Sequence, residues 1–263
     1  YFSSVNWGKK SVSLDVSTEE GKQHIYRLIA QVDIVIVSYK HGDDVKLGMD
    51  YDTLSHINPK LIYGKITGYG EADERVGYDA IIQAEAGFMF MNGAPGGESL
   101  KMPVALVDVL AAHHLKEGIL VALIQRGITG KGNCVSVSLM DAAISSLANQ
   151  ATNYLVAGEI PEKKGSQHPN IAPYGDVFTT KDSVQLLLAV GSNRQFVSLC
   201  NVLQLNETAT VSNYATNKNR VAHRETLNAT LQSAFSKFES IVLIEALNNA
   251  NVPCGKIHNM KEV

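Results

Sequence analysis

Apolar positions along this chain follow two periods, and the change from one to the other divides it. In the first two-thirds, short β-branched runs alternate with stretches of helical spacing. SVSLDV (Ser11–Val16) alternates and predicts a strand. Ser17 and Glu20 then make an S-x-x-E capping box, predicting a helix through about Ala30. DIVIVS (Asp33–Ser38) is a continuous β-branched run, the pattern of a strand buried on both faces of a parallel sheet. A short helix near Tyr51–Ile57 and, after Pro59, a strand over Leu61–Ile66 follow. Helical spacing returns over Tyr78 to about Met89 and, for longer, over Val109–Arg126. Gly127–Gly132 reads as a turn into the strand CVSVS, and the helix DAAISSLANQATNYLVA runs to Gly158.

Strand–helix–strand repeats of this length predict an α/β fold with a Rossmann-like, doubly wound sheet. Glu159–Pro173 has prolines and no periodicity, so it reads as a linker. Beyond it, DVFTTKDSVQLLLAV predicts a hairpin turning at Lys181–Ser183. Helical stretches then cover roughly Asn193–Leu203, Val221–Phe238 and Glu239–Asn249, ending near a Pro-Cys-Gly turn. The predicted organisation is a large domain over 1–157, a linker over 158–172 and a small α+β domain over 173–263.

With 263 residues, 45% hydrophobic and 19% charged, the chain has the composition of a soluble globular protein with a real core. A net charge of −3, without a basic stripe, gives no footprint for nucleic acid, and no apolar run reaches the length of a membrane span. Cys134, Cys200 and Cys254 are odd in number and far apart, which suits a reducing compartment: the cytoplasm, or mitochondria if the source is eukaryotic. The histidines show no metal-ligand spacing with Cys or carboxylates, GYGEAD and GAPGGE fail the dinucleotide pattern, and there is no P-loop. No permanently bound cofactor is expected. Asn206 and Asn228 satisfy the glycosylation pattern, a short and commonly accidental motif.

Asp108 stands where the nearly uncharged run Met102–Val107 gives way to a helical pattern. Such a carboxylate either caps the helix or does chemistry there. Three blocks bear on the choice: ERVGYDAIIQAEAGFM, KMPVALVDVLAAHHLKEGILVAL around Asp108, and TGKGNCVSVSLMDAAISSL. In this order they resemble the class III CoA-transferases, which include carnitine- and formyl-CoA-transferase-like members and acyl-CoA racemases. Asn6, Gly8, Lys9, Lys10 and Ser11 resemble the family's N-x-N-K-[KR]-S, with Gly8 departing from the second Asn. The resemblance reaches to Val252-Pro-Cys-Gly, and because the family extends beyond both ends it implies a longer protein.

The resemblance implies a CoA-transferase acting on an acyl-CoA and a small carboxylic acid, built as an interlocked homodimer. It makes Asp108 the nucleophile. A carboxylate at a helix N-terminus is held ionised by the dipole, can form a mixed anhydride with a thioester, and here lies in the apolar stretch Pro103–Leu110, which keeps water away. CoA contacts carry over to Leu14 through Ser17, to Ser38, Tyr39 and Lys40, to Lys46, and to Val76, Tyr78 and Asp79, with Arg75 assisting the phosphates. Ser38 replaces a common Asn, His41 a common Pro and Lys46 a frequent Arg; Ser17 and Val76 stand where some members carry Lys. Gly165, Ser166, Gln167 and His168 match a mobile loop that closes over the family's active site; an ordinary polar linker is the competing reading. His113 and His114 lie more than a turn beyond Asp108 and read as packing or surface residues. Racemases have histidine where Tyr78 stands, and a phenol of pKa ~10 is a poor partner for α-proton transfer. A racemase or epimerase is therefore the alternative, as is a catalytically silent module.

Overall fold

The structure, a computed structural model, describes residues 2–263. The chain forms two compact units: one runs to Met91 and resumes over Ser99–Pro161, the other combines Asn92–Glu98 with Glu162–Val263. Among the described residues no helix is long and apolar enough to cross a membrane.

The first unit begins with α1 (Phe2–Asn6) and α2 (Glu19–Ile29). The strand expected over Ser11–Val16 is absent: these residues join neither sheet, and Val12 is exposed. Alternation makes a strand only where a neighbour can take up the backbone hydrogen bonds. The cap of α2 also moves by one residue. Thr18 accepts from the Gly21 amide at 3.1 Å, while Ser17 turns back to Asp15 Oδ1 at 2.6 Å.

Next come β1 (Ile34–Val37), α3 (Asp43–Leu47), α4 (Tyr51–Ile57) and β2 (Ile62–Thr67). They are followed by α5 (Asp79–Glu85), α6 (Phe88–Met91), α7 (Leu106–Thr129), β3 (Asn133–Ser138), α8 (Leu139–Ser145) and α9 (Ala148–Ala157). Gly87, at φ +85°, separates α5 from α6 where one helix was expected. The helix expected up to Gly158 is likewise two, parted before Ala148 at φ +47°. Helix α7 starts earlier and ends later than its apolar pattern indicated, at the left-handed Gly130.

The three strands are parallel in the order β1-β2-β3, with Ile34 opposite Ile62 and Ile62 opposite Asn133. Helices cover both faces. Val35, Val37, Leu61 and Tyr63 pack with Ile29 of α2 and Leu54 of α4. Ile34, Ile62, Val135 and Val137 pack with Leu115, Ile119 and Ala122 of α7. The order is sequential, so the reversal that defines a doubly wound sheet does not occur among the described strands. Nor is β1 buried on both faces: as an edge strand it leaves Ile36 63% exposed. The far side of α7 is also open, at Leu120, Val121, Ile124 and Ile128.

The second unit pairs β4 (Tyr174–Thr179) with β5 (Gln185–Ala189) as an antiparallel hairpin, turning through Ser183 at φ +62°. Helices α10 (Asn193–Val202), α11 (Asn206–Thr210), α12 (Asn217–Ala222), α13 (Arg224–Phe235) and α14 (Ser240–Asn249) follow. Cys254–Lys256, expected as a turn, forms β6 on the free edge of β5. Phe178, Leu186 and Leu188 of the hairpin meet Phe196, Leu231, Phe235 and Leu243 in one core, with the Phe178 and Phe235 rings stacked at 4.8 Å.

Candidate active site

In the first unit, the chain leaving β1 and the chain leaving β2 wall a cavity of about 290 Å³. Two glycines bring its walls together. A Cβ on Gly77 would stand 2.5 Å from the Gly68 Cα, so backbone meets backbone there and neither position has room for a side chain. Of the residues carried over as CoA contacts, Ser38, Tyr39, Lys40, Arg75, Val76 and Tyr78 line this cavity. Leu14, Ser17, Lys46 and Asp79 do not. Lys46 is exposed on α3, and Ser17 is engaged with Asp15.

The cavity's charges are extensively paired. Lys65 Nζ donates to Asp44 Oδ2 at 2.7 Å and to Glu71 Oε2 at 2.8 Å, and Ser136 Oγ donates to Glu71 Oε1. Burial pulls the Lys65 pKa down, but the hydrogen bonds to Asp44 and Glu71 leave it above its ordinary value. Arg75 faces Asp73 at 3.0 Å and Glu85 at 3.2 Å, with its guanidinium 3.8 Å over the Tyr69 ring. An anion binding at Arg75 has to draw it from both carboxylates.

Tyr78 connects the cavity wall to α5. It lines the cavity, 69% exposed, and occupies the position before α5. Its neighbour Asp79 is not part of the cavity lining. Oδ1 of Asp79 accepts from the Val107 amide at 2.8 Å and Oδ2 from Gln83 Nε2 at 2.7 Å. Asp79 therefore does the capping at the start of α7, where Ala105 offers no side chain. A carboxylate in this role anchors the start of α7.

Asp108 consequently lies inside the first turn of α7, not at its cap. Its carboxyl is open to solvent and has no hydrogen-bond partner among the described residues. Desolvation by the surrounding protein, and then the nearby Asp79 carboxylate, raise its pKa. The apolar stretch around it is also more open than its sequence indicated: Val107 is fully buried, but Val104 and Val109 are exposed.

The loop residues carried over from the resemblance belong to the second unit. Gly165 donates its amide to Gly93, Ser166 Oγ donates to the Gly175 carbonyl, and the His168 amide donates to the Tyr174 carbonyl. Gln167 donates its amide to Lys164, and the His168 carbonyl accepts from Arg224 at 2.6 Å. This stretch is hydrogen-bonded at every residue. Burial, then Arg224, lowers the His168 pKa.

Gln83 and the Lys65–Asp44–Glu71 network escaped the reading of the sequence. Both left faint marks there: Asp79 and Gln83 are one helical turn apart, and Lys65 interrupts an apolar strand.

Over residues 1–263 the chain matches the family described as CoA-transferase family III. It is 38% identical to a succinate–glutarate CoA-transferase from Agrobacterium fabrum, aligning over 100% of this chain and 66% of that protein. It is 33% identical to the human succinyl-CoA:glutarate CoA-transferase, over 100% of this chain and 60% of that one. The chain thus spans about two-thirds or less of the length of these relatives. A crystal structure of a CAIB/BAIF family protein from Brucella suis superposes with a TM-score of 0.82 at 39% identity, over 97% of this chain and 68% of that one.

Proposed function

This chain belongs to CoA-transferase family III, and we propose that its protein moves CoA from an acyl-CoA thioester to a free carboxylic acid through Asp108. Donor and acceptor are proposed to be short dicarboxylic acids, because succinate and glutarate figure in the names of both relatives above. The observation that carries the reading is the position of Asp108: a first-turn carboxylate, open and unbonded, beside a residue pair that reaches from the cavity to its helix. A cavity of about 290 Å³ is at the small end for ligand sites and suits one end of CoA rather than all of it.

In the proposed sequence, an Asp108 oxygen attacks the thioester carbonyl, the C–S bond breaks, and CoA leaves as thiolate with a mixed anhydride on Asp108. The thiolate attacks the aspartyl carbonyl, releasing the donor acid and leaving an aspartyl thioester. The acceptor carboxylate displaces CoA to give a second anhydride. CoA thiolate then attacks the acceptor's carbonyl, and Asp108 is free again. A raised pKa fits a carboxylate that has a strong tendency to form bonds to carbon or hydrogen. Tyr78 stands beside the site without a base suited to α-proton removal, which favours transfer over racemisation.

Ser38, Tyr39, Lys40, Arg75, Val76 and Tyr78 are proposed as the CoA-facing set. Gly165–His168 is proposed as the substrate loop on the resemblance. A homodimer is part of the same proposal, supported by the open apolar residues of α7. The test is an assay of the full-length protein with succinyl-CoA and glutarate. Glutaryl-CoA should appear with wild type and not with Asp108→Asn or Asp108→Ala. Wild-type turnover in the Asn variant would reduce Asp108 to a structural residue.

A further inference from the structure

Side chains one turn apart on α5 tie down the segment that ends at Asp108. Gln83 is fully buried and uses both ends of its amide: Nε2 donates to Asp79 Oδ2 at 2.7 Å, and Oε1 accepts from the Met102 amide at 2.8 Å. Asp79 Oδ1 in turn accepts from the Val107 amide. The Met102–Val107 stretch is thus fixed at both ends to a single helix face, and Asp108 is the next residue. Neither Gln83 nor Asp79 lines the cavity.

The chemistry of this pair is demanding. Glutamate at 83 lacks the donor for Asp79, asparagine is a methylene too short, and leucine strands a buried amide and a carboxylate oxygen together. Because Asp79 supplies the acceptor that Ala105 lacks, Asp108 is spared that role and its carboxylate stays uncommitted. The clamp closes on the two amides that bracket the turn into α7, which is where a nucleophile's placement is set.

We propose that Gln83 is a positioning residue, fixing through Asp79 and Met102 the point from which Asp108 meets an acyl carbonyl. The proposal rests on the reading of Asp108 as the acyl carrier. Small misplacement of a reacting group costs about a hundredfold in rate, whereas CoA binding in the cavity does not pass through Gln83.

The experiment compares full-length wild type, Gln83→Leu and Asp79→Asn. It measures kcat, the KM for succinyl-CoA, and the rate of adduct formation on Asp108 by quenched mass spectrometry. For folded Gln83→Leu, kcat and the adduct rate should fall about a hundredfold, with KM changed by less than about twofold. Asp79→Asn retains an oxygen for the Val107 amide and should lose about tenfold in kcat; it decides the matter alone if the leucine variant does not fold. Adduct formation at the wild-type rate, or a rise in KM with unchanged kcat, overturns the proposal while leaving Asp108 as carrier. Wild-type turnover with no adduct on Asp108 overturns that reading and the proposal with it.

Discussion

In the second unit, Arg220 is fully buried without a carboxylate partner among the described residues. Its guanidinium is met instead by the Ala172 and Tyr214 carbonyls and by Asn193 Oδ1, all within 2.9 Å, and it lies 4.5 Å from the Phe196 ring centre. In the first unit, Asp108 is open, and nothing among the described residues donates to it, although Asp79 and Gln83, which hold the chain before it, are both hydrogen-bonded. A charge that serves the fold is surrounded by partners; the charge proposed for chemistry is left without them while Asp79 and Gln83 take the bonds. Both units leave apolar side chains uncovered: the first on β1 and α7, the second at Ile241 and Val242 of α14.

The largest expected effects separate the two charges. Asp108→Asn should abolish CoA transfer and leave thermal unfolding almost unchanged. Arg220→Leu should do the reverse in kind, lowering stability first, because it strands buried acceptors at a cost of about 1–3 kcal/mol each. Circular-dichroism melts together with the transfer assay check both. An Asp108→Asn protein that unfolds readily, or an Arg220→Leu protein of normal stability, would erase the contrast.

A smaller effect is expected at the cavity. Gly77→Ala places a methyl against the Gly68 backbone, so the walls must part by an amount that typically costs about 1–3 kcal/mol. The KM for acyl-CoA should rise about tenfold, with a lesser change in kcat. An unchanged KM would separate this cavity from CoA binding.

The smallest effect concerns pH. Asp108 has a raised pKa, so the folded protein holds its proton more tightly than the unfolded chain does. The stabilising contribution is present at low pH and is lost as pH rises through the folded-state pKa. Asp108→Asn should therefore be slightly more stable than wild type at neutral pH, with the gap closing on acidification. Because the carboxyl is open to solvent, the difference should be small. A gap that widens toward acid pH would contradict the sign.

How much of this was legible in the sequence depended on how local its cause was. Tyr51–Ile57, the β4–β5 hairpin and the run over Ile34–Val37 were set by near-neighbour patterns and stand at the expected places. Ser11–Val16 alternates as a strand should, but the pattern says nothing about whether a partner strand lies alongside. Cys254–Lys256 is too short to signal its pairing with β5. At the site, Asp108 stood out as a lone carboxylate, yet its place in the helix was misjudged because the cap comes from Asp79, distant in sequence. Gln83 looked like any helical polar residue; only burial and its bond to Met102 distinguish it. The charge pairs around Lys65 and Arg75 join residues from separate connections, which no periodicity encodes.

The central claim, that Asp108 carries the transferred groups, has a direct isotopic test. Full-length protein is cycled with succinyl-CoA and glutarate labelled with ¹⁸O in its carboxylates, then digested, and the peptide containing Asp108 is weighed. Attack by the labelled carboxylate and return of CoA to its carbonyl leave one acceptor oxygen on the aspartate in each cycle, so the peptide should gain ¹⁸O at Asp108 within the first few turnovers, up to both carboxyl oxygens. Sustained glutaryl-CoA formation with no label on Asp108, or with label on another carboxylate, would contradict the account.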